Sequence, residues 1–400
     1  MTAQRGALDG YVVIEMAGTV ASAYCGALLA ACGAEVIKIE PPQTGDPVRA
    51  LPPFAKTGEP PENGGMHLFL NANKRSVVLD LNSTDGLRAA ERLAAGADIL
   101  VEGGSGGRAP LGDDAPDLVR AILSWFGTTG PRRDWRATDA VIQSLSGFIY
   151  PIGPESGPPI IPGGYQAQVT AGVTAFIAIV TALIGREAGD RGCTIDQSVL
   201  EAELTYTEIG PVKHAYDGEK AVRRGVNRFR PTYPQTLYPC AEGTWLGVTT
   251  VTPLQWYGAC DLIGARDFAY DPRLQTSEGR NDHWREVDEV FVRHLAARPA
   301  EEWFHEGQAR RLPFALVPTM AELSELDHFR AREAFAEYGL PGGGSFQAPV
   351  IPWKFAATPL KQGGTAPRLG ADTKDVLAGR LDMDADEIER LADAGMRGAA

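Results

Sequence analysis

The sequence predicts an α/β protein with a parallel sheet and a second, smaller α+β domain in its middle. In the first hundred residues, short apolar runs alternate with alanine-rich or amphipathic stretches, which is the pattern of a parallel sheet covered by helices on both faces. From about residue 225 to 310 the composition changes, with more aromatics and prolines and with segments that predict amphipathic helices. A length of 400 residues allows two to three domains.

Four apolar runs in the first region have the length of buried strands. They are Tyr11–Met16, Glu35–Ile39, Ser76–Leu81 and Asp98–Glu102. The stretch Ala21–Ala31 is rich in alanine and leucine and is predicted to be a helix. A second helix is predicted to end near Ala95, because Ser83 or Thr84 can cap it and its apolar residues fall on one face.

The following region continues the alternation. Leu118–Phe126 is predicted to hold a short helix and a strand, and Thr194–Tyr206 either a helix or a strand followed by a helix. Val169–Ile184 is the longest apolar stretch. We predict a buried helix there, because crossing a membrane takes about 20 apolar residues. Trp284–Leu295 predicts an amphipathic helix in the central domain, and Ala371–Met396 predicts a charged amphipathic helix pair.

Charge and cysteine usage exclude several function classes. The chain has 38 Lys and Arg against 51 Asp and Glu, a net charge of −13, which argues against nucleic-acid partners and membrane surfaces. Five scattered cysteines without a CxxC pair predict neither a disulfide framework nor a zinc site, and they favour the cytoplasm. Arg5, Asp9 and Glu15 interrupt any early apolar run, so no secretory signal is expected. The six histidines lack metal-ligand spacing, and no metal is predicted.

The common cofactor and nucleophile motifs are absent or weak. The loop after the first strand has a single glycine, Gly18, which argues against a dinucleotide site, and no phosphate-binding P-loop motif occurs. Gly103–Gly107 matches the GxSxG pattern of a nucleophile elbow. The residues after it form a poor helix, so a chance match in a glycine-rich loop is favoured.

Two short segments could carry a site. Asn73, Lys74 and Arg75 precede a strand, and they indicate either a solvated strand entry or an anion site to which Lys38 and Arg49 could add. The glycine turn Gly163–Gly164 delivers the polar residues up to Gln168 at the start of the buried helix. This is a plausible active-site geometry, although from the segment alone a helix cap in a packing corner is favoured.

A series of blocks along the chain resembles the family III CoA-transferases, the group of formyl-CoA transferase, carnitine CoA-transferase and the α-methylacyl-CoA racemases. The resemblance runs from Leu8 to about Leu391. Its main blocks, in order, are Gly33–Pro42, Asn73–Ser76 with Leu79–Leu81, Ala97–Glu102, Gly127–Pro131, Gly189–Ser198 and Leu369–Gly370. Each block is weak alone, but their order along the chain is specific.

The resemblance implies a Rossmann-like large domain built from both chain ends, a smaller central domain and an interlocked dimer. The corresponding division is 1–215 for the first part of the large domain, 216–325 for the small domain and 326–400 for the segment that returns. The implied substrates are acyl-CoA thioesters and carboxylic acids, with no tightly bound cofactor. In the transferases of this family an aspartate attacks the thioester, forming a mixed anhydride and then an enzyme–CoA thioester.

The chain departs from this pattern at the implied site. Gln168, four residues before Gly172, stands where the resemblance implies the aspartate, and Thr138 stands where it implies the racemase histidine. An amide cannot form a mixed anhydride. The block Asn73, Lys74 and Arg75 is predicted by position and charge to lie near the CoA phosphates.

Three interpretations follow. The first is a CoA-transferase subunit without the nucleophile, which pairs with a nucleophile-bearing paralogue as a heterodimer or otherwise forms a homodimer. The second is an active acyl-CoA enzyme in which Gln168 polarises a thioester carbonyl, with Asp139, Tyr165 or Glu15 as the base. The third is a binding protein that keeps the fold and takes a different ligand. Gln168 and Asp139 are the predicted catalytic residues.

Overall fold

The chain groups into two units, each with its own core. The structure is a computed structural model that describes residues 5–104, 111, 115–207, 209–225, 227–228 and 232–397. One unit comprises residues 1–148, 161–212 and 327–400, and the other comprises 149–160 and 213–326. Residues 149–160, which the sequence-based division includes in the first part of the large domain, group with the second unit.

A parallel sheet of six strands forms the centre of the first unit. The strands are β1 (Val12–Met16), β2 (Glu35–Glu40), β3 (Arg75–Val78), β4 (Ile99–Gly104), β5 (Val119–Ser124) and β6 (Thr194–Ser198). Their order across the sheet is β3-β2-β1-β4-β5-β6, and Val13 of β1 lies opposite Val36 on one side and Ile99 on the other. The predicted α/β class with a parallel sheet is confirmed.

The helices of this part of the chain lie between the strands of the sheet or follow β6. They are α1 (Val20–Ala31), α2 (Gly65–Leu70), α3 (Thr84–Ala95), α4 (Asp139–Leu145), α5 (Gln166–Glu187), α6 (Val199–Leu204) and α7 (Ile209–Asp217). The Ser83 side chain caps α3 by accepting a hydrogen bond of 3.0 Å from the Gly86 amide, as the sequence predicts. Leu118–Phe126 holds one strand and no helix.

The second unit is an α+β arrangement around aromatic side chains. Its three-stranded antiparallel sheet has the order β7-β8-β9. Its elements are β7 (Gln235–Pro239), β8 (Trp245–Thr249), α8 (Pro253–Leu262), α9 (Arg266–Ala269), α10 (Ser277–Asp282), α11 (Trp284–Leu295), α12 (Ala300–Ala309) and β9 (Phe314–Leu316). The rings of Trp256 and Phe291 stack with their centroids 5.9 Å apart, in a core that the apolar face of α11 completes.

The last segment adds to the sheet of the first unit. It contains α13 (Asp327–Ala331), the hairpin β10 (Phe335–Gly339) and β11 (Ser345–Pro349), α14 (Thr373–Leu381) and α15 (Ala385–Arg397). Asp372 and Thr373, at the start of α14, accept hydrogen bonds from the backbone amides of Ser76 (2.9 Å) and Val78 (3.0 Å). These contacts satisfy the free edge of β3, which would otherwise expose unpaired amides.

Successive residues of the strands face opposite sides of the sheet. Val13 packs in the cluster formed with α1 and α5, whereas Ile14 packs in the cluster formed with α3 and α14. Both faces of the sheet are therefore covered by helices, and the carboxyl ends of the strands are the edge left for a site.

Helix α5 packs closely against α1. A β-carbon at Gly172 would lie 2.7 Å from the Ala21 carbonyl oxygen, so glycine is needed where the two helices meet. By length and composition α5 could also cross a membrane, a test that core helices of soluble proteins pass as well. The predicted burial holds for one face only, because Ile177 is 57% and Ile184 66% exposed.

Candidate functional site

The loops after β1 and β4 meet at the carboxyl edge of the sheet. β1 and β4 are neighbours in the sheet although they are not consecutive in sequence, so the strand order reverses between them. A β-carbon at Gly18 would lie 2.7 Å from the Gly103 carbonyl oxygen, which shows how closely the two loops approach. Open α/β sheets bind their ligands at such a reversal point.

Gln168 lies at this edge, in the first turn of α5, and its amide is held at both ends. Its Oε1 accepts a hydrogen bond of 3.1 Å from the backbone amide of Val20, the first residue of α1. Its Nε2 donates a hydrogen bond of 2.6 Å to Oδ2 of Asp139. The side chain is 5% exposed, so the structure fixes the orientation of the amide.

Asp139 is brought to Gln168 by the packing of α4 against α5. Besides the side-chain contact, Oδ1 of Asp139 accepts a hydrogen bond of 3.3 Å from the Gln168 backbone amide. The carboxylate thus lies at the first turn of α5, where the helix dipole favours a negative charge. We call Gln168 and Asp139 the amide pair. The two predicted catalytic residues are in direct contact.

Glu15, one of the three bases considered, belongs to a different buried group. Its Oε2 accepts a hydrogen bond of 2.7 Å from Lys74, and its Oε1 accepts one from Lys38, which also pairs with Asp46. We call Glu15, Lys38, Asp46 and Lys74 the charge cluster. All four side chains are buried, and paired charges of this kind hold neighbouring strands together.

Lys74 is saturated inside the charge cluster. Its ammonium group also donates to the Ala23 carbonyl (2.8 Å) and to Oδ1 of Asn71 (2.9 Å). Burial lowers the pKa of Lys74 to about 8, although the charge of Glu15 opposes the shift. Burial also disfavours the charge of Lys38, but Asp46 and Glu15 together raise its pKa above the ordinary value.

Asn73 and Arg75 point away from Lys74. Asn73 has a positive φ of 64°, and its Nδ2 donates to the Gly363 carbonyl at 2.7 Å. Arg75 is half-buried and pairs with Glu35 at 2.9 Å and with Asp372 at 3.5 Å. The structure therefore does not form one cationic surface from the three predicted CoA-binding residues, and a phosphate contact by any of them stays a prediction.

Lys38 and Arg49, the proposed additions to an anion site, are also paired. Arg49 contacts both carboxylate oxygens of Glu40, at 2.6 and 2.8 Å. Burial alone would raise the pKa of Glu40, but the bonds from Arg49 dominate and lower it to about 2. Tyr165, the remaining candidate base, precedes α5 and makes no side-chain cap bond.

Sequence reasoning missed two buried polar residues beside the amide pair. Glu203 on α6 and Gln143 on α4 are both fully buried. A helix over Val199–Leu204 places residue 203 one turn after Val199, on the apolar face, and this periodicity could have identified Glu203. Gln143 lies one turn after Asp139 in the same way.

One further sequence feature falls partly outside the described residues. Gly103 and Gly104 end β4, but residues 105–107 of the GxSxG match are outside them. In the part of the chain that the structure describes, no group of three His, Cys, Asp or Glu side chains could hold a metal ion.

Comparison with known proteins bears on the whole chain. Residues 8–373 match the model of CoA-transferase family III. The succinate–glutarate CoA-transferase of Agrobacterium fabrum is 27% identical over 395 residues, which cover 96% of this chain and 97% of that protein. The succinyl-CoA–D-citramalate CoA-transferase of Chloroflexus aurantiacus is 27% identical over 401 residues, which cover 96% of each chain.

The fold is shared with solved structures as well. A CAIB/BAIF family protein from Brucella suis superposes with a TM-score of 0.83 at 23% identity, over 94% of this chain and 100% of that one. The family match spans the sheet, the two helices that carry the amide pair and most of the last segment. The ordered blocks seen in the sequence are thereby explained: the chain belongs to CoA-transferase family III.

Proposed function

We propose that this chain transfers CoA from an acyl-CoA thioester to a carboxylic acid, with Asp139 as the nucleophilic carboxylate and Gln168 as its positioning partner. One observation carries the proposal. Oδ2 of Asp139 accepts a hydrogen bond of 2.6 Å from Gln168, the residue at the position where the resemblance implies the family aspartate. One relative is named for succinate and glutarate and the other for succinyl-CoA and D-citramalate, which supports CoA thioesters and carboxylic acids as the substrate classes.

The chemistry needs a carboxylate and a donor for the carbonyl oxygen. An oxygen of Asp139 attacks the thioester carbonyl carbon, which releases CoA as a thiolate and leaves a mixed anhydride. The thiolate then attacks the Asp139 carbonyl carbon, releasing the first carboxylate and leaving an Asp139–CoA thioester. The carboxylate of the acceptor acid attacks this thioester, which releases the CoA thiolate and leaves an anhydride between Asp139 and the acceptor. The thiolate then attacks the acceptor carbonyl carbon, which forms the new acyl-CoA and restores the Asp139 carboxylate.

Gln168 contributes orientation and polarity to these steps. Its Oε1 is held by the Val20 amide, so Nε2 is turned toward Asp139. An amide nitrogen carries two hydrogens, and the second can stabilise the charge that develops on the thioester oxygen. The bond to Asp139 must lengthen for attack, because an oxygen with a strong donor is a weaker nucleophile.

The test is a mass-spectrometric CoA-exchange assay with a panel of acyl-CoAs and free acids. We expect exchange by the wild type and a loss of at least about 10³-fold in Asp139→Asn, since the neutral amide cannot attack. Gln166→Leu, at an exposed position of the same helix turn, is the matched control. Undiminished exchange by Asp139→Asn would overturn the role of Asp139.

A subunit without a nucleophile is the second candidate, and the same contacts favour it. Both Asp139 oxygens accept hydrogen bonds from Gln168, which lowers the reactivity of the carboxylate. Exposed apolar side chains on α4, α5 and α6 also favour a partner chain, either a paralogue or a second copy in an interlocked dimer. They are Val141, Leu145, Ile177, Ile184 and Leu204.

Two measurements separate the candidates. Exchange by Gln168→Asp alone, with the wild type silent, would favour the subunit reading, and co-purification of a paralogue from the native source would identify the partner. Recovery only as a homodimer would count against it. A CoA titration tests the third interpretation, because micromolar binding would exclude a protein that has lost CoA.

Five unpaired cysteines support a reducing cytoplasm.

A further inference from the structure

The Glu203 carboxyl is buried without a partner. The side chain is 0% exposed, and among the described residues neither Oε1 nor Oε2 has a hydrogen-bond partner. Gln143 on α4 has the same property, because it is fully buried and neither atom of its amide group is partnered. Native proteins rarely leave buried polar atoms unpaired, and those that remain require an explanation.

Among the described residues, the charged group that acts on Glu203 is Asp139. Helix α4 contributes Asp139 and the neutral Gln143, and the adjacent end of α5 contributes the neutral Gln168. On β6, Asp196 accepts hydrogen bonds from Thr128 at the surface. In the turn after α6, the Tyr206 hydroxyl lies 2.9 Å from that of Thr170. On α6 itself, Glu201 is exposed.

An ionised Glu203 would be an uncompensated charge in an apolar interior. Such a charge costs several kcal/mol, and the group avoids this cost by keeping its proton. Burial, and then the negative charge of Asp139, raise the pKa of Glu203 to about 7. Glu203 therefore keeps its proton up to about neutral pH.

We propose that Glu203 is a positioning residue for the amide pair. While Glu203 carries its proton, it adds no second negative charge beside Asp139. When Glu203 loses its proton, a second negative charge faces Asp139. The repulsion then displaces Asp139 from the first turn of α5 and from the Gln168 amide. The catalytic consequence rests on the proposed function, whereas the protonation of Glu203 does not.

The direct test is infrared difference spectroscopy of the purified chain between pH 5 and 9, which detects the carbonyl band of a protonated carboxylic acid. We expect a band that titrates near pH 7 in the wild type, in agreement with the raised pKa. The band is lost in Glu203→Gln and kept in Glu201→Gln, the matched control on the exposed face of the same helix. A band absent from the wild type above pH 5 overturns the proposal.

Asp139→Asn supplies an independent variant. Removing the neighbouring charge should move the midpoint of the Glu203 band to lower pH, which a merely structural role of Glu203 would not do. An unchanged midpoint overturns the proposed coupling, even where Glu203→Gln does not fold well enough to be measured.

Activity separates this inference from the proposed function. In the exchange assay we expect kcat/KM of the wild type to fall about tenfold per pH unit above the Glu203 midpoint, and Glu203→Gln to remove this fall. A titrating band in a chain that exchanges no CoA contradicts the proposed function and leaves the proton on Glu203. Exchange without such a band contradicts the inference and leaves the function.

Discussion

The charge cluster and the amide pair are two buried polar regions of the same unit, and they differ in how completely their groups are paired. In the charge cluster, Lys74 has three acceptors, and Glu15 receives both lysines. Beside the amide pair, Glu203 and Gln143 have no hydrogen-bond partner among the described side chains.

The difference teaches which region supports the sheet and which can react. A carboxylate held by two cations is stabilised in one state and gains nothing by changing it. A carboxylate held by an amide, with a second carboxyl nearby, can change its charge or form a bond at a smaller cost. Lys74 of the predicted CoA-binding block is paired inside the charge cluster, and we propose that the reactive edge lies at Gln168.

The largest effect is expected from breaking the charge cluster. Glu15→Gln leaves the Lys74 ammonium buried without a carboxylate, so the free energy of unfolding should fall by about 3–5 kcal/mol. Urea denaturation monitored by circular dichroism at pH 7 measures the loss. A loss below about 1 kcal/mol would show that the charge cluster is not the structural region of the two.

A double variant sharpens this result. Glu15→Gln combined with Lys74→Met removes both partners, so no unpaired charge remains at that point. The double variant should lose clearly less than the sum of the two single losses. Additive losses would mean that the ion pair itself contributes little.

Acid unfolding is expected to depend on Glu40, another carboxylate with saturated contacts. Its pKa falls from 4.5 to about 2 in the folded chain, chiefly because Arg49 bonds it against the opposing effect of burial. The unfolded chain therefore takes up this proton first, and about 3 kcal/mol of stability present above pH 4.5 is lost as the pH falls toward 2. Glu40→Gln should flatten this part of the stability curve in chemical denaturation, and an unchanged slope would contradict the assignment.

A smaller effect is expected at the amide pair. Gln168→Leu leaves Oδ2 of Asp139 and the Val20 amide without their partner, and we expect a loss of about 1–3 kcal/mol in unfolding free energy. Gln166→Leu, at the exposed start of α5, should change stability by less than about 0.5 kcal/mol. Equal losses in the two variants would show that the Gln168 contacts are not formed in solution.

The outcome of sequence analysis differs between the two regions for physical reasons. Apolar periodicity located β1 to β4, α1 and α3 closely, whereas Gln168 was singled out by the family resemblance, which implies an aspartate four residues before Gly172. Side-chain direction at a strand entry is set by the backbone, and the positive φ of Asn73 was not visible in the sequence. For this reason the sequence did not show that Lys74 enters the interior while Arg75 stays at the surface.

The smallest effect is expected at Arg75, the half-buried cation of the predicted CoA-binding block. Its guanidinium is shared between Glu35 and Asp372, and exposed pairs of this kind contribute at most about 1 kcal/mol. Arg75→Gln should therefore unfold almost as the wild type does. If Arg75 contacts a CoA phosphate, Arg75→Gln should weaken CoA binding by up to about tenfold in a calorimetric titration. The variant lacks the guanidinium that would bind the phosphate in place of one carboxylate.

Arg380 is the matched control for this measurement, because it pairs with Glu35 at the same sheet edge and lies outside the predicted block. Arg380→Gln should leave the Kd for CoA unchanged. Equal Kd values in the two variants would assign Arg75 to the structural region together with Lys74. CoA recognition would then depend on groups nearer the amide pair. The whole Asn73–Arg75 block would belong with the fully paired charge cluster, and the reactive groups would lie in the incompletely paired region around Gln168.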